Sequence, residues 1–482
     1  MRNHQQFYID GHWQDPIGGG DTFDVINPAT EAVVGAIRLG SEADVELAIA
    51  AARRAFNGFS RSSLQERQAL VGRICAIYER RLDDMAAAIT EEMGAPLARL
   101  SRAVQAPLGL WHFQTALAAS ANFPFETQQG TTLIVKEPVG VCTLITPWNW
   151  PMGQVACKVA PALLAGCTMV LKPSEFAPFS AQIFAEILAE AGVPPGVFNM
   201  LHGDGARIGP LLAAHREVDM VSLTGSTRSG ASVAKNAADT IKIVSLELGG
   251  KSANIILDDA PLEKAVAAGV IGMMSNTGQS CNAPSRMLVP RAKLAEAERI
   301  AAATLQQLVV GDPQDPATSV GPIANRRQFE RVQTLIEKGI ADGATLVAGG
   351  LGRPEGLTRG YFVKPTVFSQ VDNQMAIARE EIFGPVLTMI PYDDEEDAIA
   401  IANDSDYGLS GYVWGGTVEH AAAVARRLRT GMVHLNGATV DPAAPFGGYK
   451  QSGSGREWGA AGLDEFLETK SVMGTATGAA AR

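Results

Sequence analysis

The chain has 482 residues, 46% hydrophobic and 19% charged, which suits two or three domains with substantial cores. A net charge of −11 and a pI near 5.3 exclude the basic footprint of a nucleic-acid-binding protein. Five cysteines with no CxxC spacing, and seven histidines with no HExxH, give no support to a structural zinc site, and no resident metal is expected.

The first residues lack an apolar signal core. The longest apolar stretch, residues 155–171, contains Lys158 and Pro161, so no membrane span is expected and the cytoplasm is the simplest compartment. Residues 1–40 read as short strands and turns, with a bend at Gly18-Gly19-Gly20. Residues 42–93 read as helical, and 122–136 as extended. Strands and helices then alternate. Strands are expected at 139–146, 168–171, 197–201 and 218–223, with helices at 154–164 and 181–191. That rhythm predicts a parallel sheet with ligands at the carboxyl ends of its strands. After Gly250 it restarts, with a strand at 253–257, a helix at 262–275 and further units to about Trp458. Residues 469–482 read as an edge strand with a loose end.

Small and polar residues surround Cys281 in Gly278-Gln279-Ser280-Cys281-Asn282, a setting that exposes a thiol for reaction; a buried structural cysteine is the other reading. Cys142 and Cys167 fall in apolar strands, and Cys75 and Cys157 in helices, where packing explains them. Glu247 lies in the apolar run Val244-Ser245-Leu246-Glu247-Leu248. It is either a surface residue of an alternating strand or a buried carboxylate whose raised pKa suits a general base. In Thr146-Pro147-Trp148-Asn149-Trp150-Pro151, two prolines pin a turn at a strand end. Asn149 there is a turn residue or an amide donor to an oxyanion. No GxGxxG follows a strand. Gly203 to Gly209 nearly supplies one, and Gly225 to Gly230 offers a GxxxxG turn that could bring a pyrophosphate to a helix N-terminus. Lys172-Pro173-Ser174-Glu175 closes a strand. It is a solvated pair, or a ribose site whose acid disfavours a 2′-phosphate and so favours NAD over NADP.

Taken in order, these segments resemble the aldehyde dehydrogenase superfamily in its hydrolytic, non-acylating branch. Glu247-Leu248-Gly249-Gly250-Lys251, Glu380-Glu381-Ile382-Phe383-Gly384-Pro385-Val386 and Pro445-Phe446-Gly447-Gly448-Tyr449-Lys450 carry the likeness too, and Glu247 and Cys281 stand 34 positions apart as in the family. The resemblance implies that Cys281 attacks an aldehyde carbon, that Asn149 and the Cys281 N–H stabilise the oxyanion, and that Glu247 activates water to hydrolyse a thioester, with Lys158 supporting the network. It implies an NAD site, with NADP possible, in which Lys172, Ser174 and Glu175 hold the adenosine ribose. Gly205, Gly209, Gly225 and Ser226 would receive the phosphates. Thr146, Pro147, Trp148, Leu248, Gln328, Glu381 and Phe383 would complete it. The implied substrate wall is Trp150, Gly153, Cys157, Ser275, Ser280, Asn282 and Phe446. Its small members suggest a wide tunnel for a bulky aldehyde, whether aromatic, terpenoid or a long semialdehyde.

The implied fold is α/β, with two doubly wound parallel-sheet domains, Rossmann-like cofactor and catalytic, plus a small β oligomerisation extension. The expected division is 1–121 with 138–247 for the cofactor domain, 248–458 for the catalytic domain, and 122–137 with 459–482 for the extension. Exposed edges there imply a homodimer or homotetramer. The rival readings are an acyl-CoA-forming enzyme, which the presence of Glu247 disfavours, an NADP-preferring enzyme, and a non-catalytic protein on the same fold.

Overall fold

The structure is a computed structural model that describes residues 2–475. Residues 476–482, part of the expected loose end, lie outside the described residues. Two α/β sheets dominate. The first is built from β1 (Val141–Ile145), β2 (Thr168–Lys172), β3 (Phe198–Met200), β4 (Met220–Thr224) and β5 (Ile243–Glu247), side by side in the order β5-β4-β1-β2-β3 and all parallel. The antiparallel pair Phe7–Ile9 and His12–Gln14 extends it beyond β3. Strands buried on both faces need mostly apolar residues at successive positions, which is why β1, β2 and β4 are rich in Val, Leu, Ile and Met and every residue in them is buried. The chain doubles back between β1 and β4, so the crevice beyond their carboxyl ends is where a doubly wound sheet takes a ligand.

The helix after β1, α1 (Pro151–Ala165), begins three residues earlier than its apolar pattern suggests. Pro151 at its start has no N–H to leave unpaired and a φ already suited to a helix. Every residue of α1 is buried, including the polar Gln154 and Lys158 in an otherwise apolar helix, and Gly166 ends it in the left-handed conformation. Cys167 falls in the turn before β2 rather than within the strand. Residues 42–93 form three helices, Glu42–Phe59, Leu64–Arg80 and Leu82–Met93. Ser41 with Asp44, and Ser63 with Glu66, form capping boxes at the first two starts. The sequence reading left residues 94–121 unassigned; they form a π-helical stretch, Leu97–Gln105, that runs into the helix Ala106–Ala121.

The second sheet runs Thr345–Ala348, Thr366–Ser369, Val386–Tyr392, Arg286–Pro290, Ala253–Ile256, Ser410–Trp414, Met432–Leu435, parallel except at its first pair. Gly453–Ser454, inside the stretch expected to be catalytic, crosses back to pair antiparallel with β5 of the first sheet. A separate three-stranded sheet joins Glu126–Gln129, Thr132–Pro138 and Leu467–Met473, so the two segments expected to form an extension do meet. No helix among the described residues is long and apolar enough to cross a membrane.

Candidate active site

A cavity of about 710 Å³ opens beyond the carboxyl ends of β1, β4 and β5. Its lining includes Pro147, Trp148 and Asn149 from the turn after β1, Gly225 and Ser226 after β4, and Glu247 and Leu248 at the end of β5. Cys281 enters from the other sheet's side, together with Gln328, Glu381 and Phe383. Segments far apart in sequence therefore meet in one space.

Cys281 is half-buried on a loop of unusual backbone. Asn276, Thr277 and Gly278 before it all have positive φ, at 50°, 56° and 70°. Side-chain amides brace this loop. Asn149 Nδ2 donates to the Gln279 carbonyl at 3.0 Å, and Asn276 Nδ2 donates to the Asn149 carbonyl at 2.9 Å. Gln105 Nε2 donates to Asn276 Oδ1 at 3.1 Å, and Gln279 Oε1 accepts from Ala324 N at 2.9 Å. Gly250 is required by close approach: a Cβ there would lie 2.3 Å from the Cys281 carbonyl oxygen. Burial pushes the Cys281 thiol up, and the facing Glu381 and Glu247 push it further.

Glu247 is 2% exposed, and neither of its oxygens has a hydrogen-bond partner. Burial and the neighbouring Glu457 and Glu465 raise its pKa well above the usual carboxylate range, against the opposing charges of Lys158 and Arg456. A free, desolvated carboxylate beside a thiol can accept a proton. Gly447 makes room for it, since a Cβ there would sit 2.6 Å from Glu247 Oε1. Lys158, sealed at 1% exposure, pairs with Glu457 and donates to Ser222 Oγ at 2.8 Å. Burial works against its charge, but Glu457, Cys157 and Glu247 outweigh that and its pKa is raised.

On the cofactor side, Ser226 caps the helix α2 (Thr227–Ala237), its hydroxyl accepting from Ser229 N at 3.2 Å. The first N–H groups of that helix have no partners within it. Trp148 meets Phe383 edge-on at 5.5 Å between ring centres. Gln328 Nε2 donates to the carbonyls of Ile382 (2.8 Å) and Phe383 (3.1 Å), and Glu381 Oε1 accepts from Gly250 N at 3.1 Å. Burial lifts Glu381 to about 7. Thr146 is buried, and Lys172 pairs with Glu175 at 2.7 Å, but these residues and Ser174 stand outside the cavity lining, which reaches only their neighbour Phe176. Gly205 and Gly209 lie on the helix Gly205–Ala214, also outside it.

The expected substrate wall is largely elsewhere. Gly153 leaves no void: Leu108 fills the space, 2.7 Å from where a Cβ would stand. Cys157 turns its sulfur to Glu457 Oε2 at 3.3 Å and the Gln154 carbonyl at 3.4 Å. Phe446 stacks on Trp458 at 4.3 Å, and Ser275 is exposed at the end of Leu262–Met274. Trp150 Nε1 donates to Ser280 Oγ at 2.8 Å, and the Asn282 carbonyl accepts from Tyr412 at 2.7 Å. None of these seven lines the 710 Å³ cavity. A small residue thus widens a tunnel only if no neighbour occupies the space. Residues that sequence reasoning missed are Gln154, Phe176, Arg327, Arg331 and Tyr407 in the lining, and Glu457 behind it. Glu457 stands alone among glycines and aromatics in Gly455-Arg456-Glu457-Trp458-Gly459; an acid in such surroundings was the available signal.

A doubly wound sheet facing a thiol, an unbonded carboxylate and a side-chain amide is the arrangement of an α/β enzyme with its ligand crevice at the strand ends. The profile of the aldehyde dehydrogenase family matches residues 13–472, and the chain belongs to that family. It is 61% identical, over 98% of its length and 99% of the relative's, to a 3-succinoylsemialdehyde-pyridine dehydrogenase of a Pseudomonas species. Among solved structures, it matches a cysteine-to-alanine mutant of aldehyde dehydrogenase C from Pseudomonas syringae, complexed with NAD+ and octanal. The TM-score is 0.97 and the identity 53%, over 98% of both chains. An aldehyde dehydrogenase of Mycobacterium tuberculosis complexed with NAD+ matches at a TM-score of 0.95 and 41% identity, over 98% of both chains.

Proposed function

We propose that this aldehyde dehydrogenase oxidises a bulky aldehyde to its carboxylic acid with NAD+, through a covalent intermediate on Cys281. The observation that carries the reading is the meeting of Cys281, Asn149 and an unbonded Glu247 in one cavity. Cys281 gives up its proton to solvent in the cavity as its Sγ bonds to the aldehyde carbon and the carbonyl π pair moves onto oxygen, while Asn149 Nδ2 turns from the Gln279 carbonyl toward that oxyanion. The chemistry a bound nicotinamide supplies is acceptance of the hydride, which leaves a thioester on Cys281. Glu247 then takes a proton from water as that water attacks the thioester; the C–S bond breaks, the carboxylic acid departs, and the Cys281 thiolate recovers the proton from Glu247. The lining fits a dinucleotide: the α2 start and Gly225 suit a pyrophosphate, Glu381 a ribose, and Trp148 with Phe383 the ring. Lys172 and Glu175 remain the residues we assign to the adenosine ribose, reached through Phe176.

The names of two similar proteins, a 3-succinoylsemialdehyde-pyridine dehydrogenase and an aldehyde dehydrogenase complexed with octanal, support a large aldehyde here. The edges of the three-stranded sheet are the surface we assign to a homodimer or homotetramer, and the five free cysteines suit a reducing cytoplasm. Absorbance at 340 nm tests the reading, with NAD or NADP and with or without coenzyme A. Growth with NAD alone, and a higher kcat/KM for an aryl or C8–C10 aldehyde than for acetaldehyde, is expected. A requirement for coenzyme A, or a clear preference for acetaldehyde, would contradict it.

A further inference from the structure

Gln154 sits in the first turn of α1, is 7% exposed, and lines the cavity together with Cys281, Glu247 and Asn149. Its backbone is committed: the N–H donates to the Trp150 carbonyl at 3.0 Å, and the carbonyl accepts from the Cys157 thiol at 3.4 Å. Its side-chain Oε1 is buried with no partner. The amides that brace the nucleophile loop behave differently, since Asn149, Asn276 and Gln279 bond to one another's backbone and to Ala324. Lys158, four residues on and on the same helix face, is spent on Glu457 and Ser222 and cannot serve Gln154. Placing an unpaired amide against a cavity costs stability unless something that enters the cavity bonds to it. A half-turn about its last torsion exchanges donor and acceptor ends, so it can meet either kind of partner.

We propose that Gln154 is a specificity-determining residue that selects aldehydes carrying a second hydrogen-bonding atom, such as a ketone oxygen or ring nitrogen, beyond the reacting carbonyl. The proposal rests on the reading of this cavity as the aldehyde site. A plain alkyl chain would leave the carboxamide unpaired, and a site with a buried polar group discriminates against ligands that cannot satisfy it.

The test measures kcat/KM with NAD for octanal, 4-oxooctanal and 6-oxooctanal, on the full chain and on Gln154→Met, which keeps length and removes polarity. The wild type is expected to favour at least one oxo aldehyde over octanal by about tenfold, and the variant to lower that ratio by about tenfold. The proposal is overturned if neither oxo aldehyde is favoured by the wild type, a result that stands even should the variant fail to fold. It is overturned equally if the ratio in Gln154→Met stays at the wild-type value, including the case where all rates fall together because Gln154 acts on water or on the helix. Absence of NADH from all three aldehydes would instead sink the underlying assignment of the cavity, and this proposal with it.

Discussion

The Glu247 carboxylate and the Cys281 thiol, to which we assign the roles of base and nucleophile, are held by different means. Glu247 ends a strand paired on both sides, with β4 in parallel and with Gly453–Ser454 antiparallel. Sheet bonding fixes its backbone, and its carboxylate is left free of hydrogen bonds. Cys281 has no such ladder. It rides a loop with three successive positive-φ residues, held by side-chain amides. The contrast fits two half-reactions with different needs: attack requires a thiol placed by a loop that can also present N–H donors, whereas hydrolysis requires an uncommitted base that does not move.

The comparison breaks most sharply at the nucleophile. Cys281→Ala is expected to lower kcat by at least about 10⁴-fold and to abolish the first-turnover burst of NADH. Retention of full turnover would end the account. Glu247→Gln separates the two regions: steady-state turnover should fall on the order of 10³-fold while a burst approaching one equivalent survives. Loss of the burst as well would mean that the strand end also governs attack. Asn149→Ala should slow the burst by roughly 10²–10³-fold, the usual cost of an oxyanion donor; stopped-flow absorbance distinguishes this from an effect below tenfold, which would deny it that role. Asn276→Ala removes three hydrogen bonds and puts alanine in a left-handed conformation, so about a tenfold slower burst is expected. If only the hydrolytic step slowed, the assignment of the loop to attack would be wrong.

The smallest effect is in pH. A raised pKa keeps Glu247 protonated, and so inactive as a base, above the pH at which an ordinary carboxylate ionises. Deacylation should therefore go on climbing with pH above the range in which an ordinary carboxylate has finished ionising, and Glu247→Gln should flatten that climb. A profile already level from pH 5 upward would contradict the raised pKa.

Strand–helix alternation was legible because burial on both faces writes itself as apolar runs, and residues 139–250 carried it clearly. That Cys281, Glu247 and Asn149 would share one cavity was legible because each stands in a short segment of distinctive composition. The substrate wall was not, since whether Gly153 opens space depends on Leu108, 45 positions away, and where the Cys157 sulfur turns depends on Glu457. Gln154 escaped for a similar reason: a glutamine in an apolar helix is noticed only when its missing partner is seen. The π-helical stretch Leu97–Gln105 likewise has no period that sequence reading looks for.

The central claim is a covalent bond between substrate carbon and one sulfur. Mixing Glu247→Gln with NAD and octanal, quenching in acid and weighing the digested peptides tests it directly. The account predicts an octanoyl mass increment on the peptide containing Cys281, in near-equal amount to the NADH formed. NADH formed with no adduct on that peptide, or an adduct on another cysteine, would contradict it.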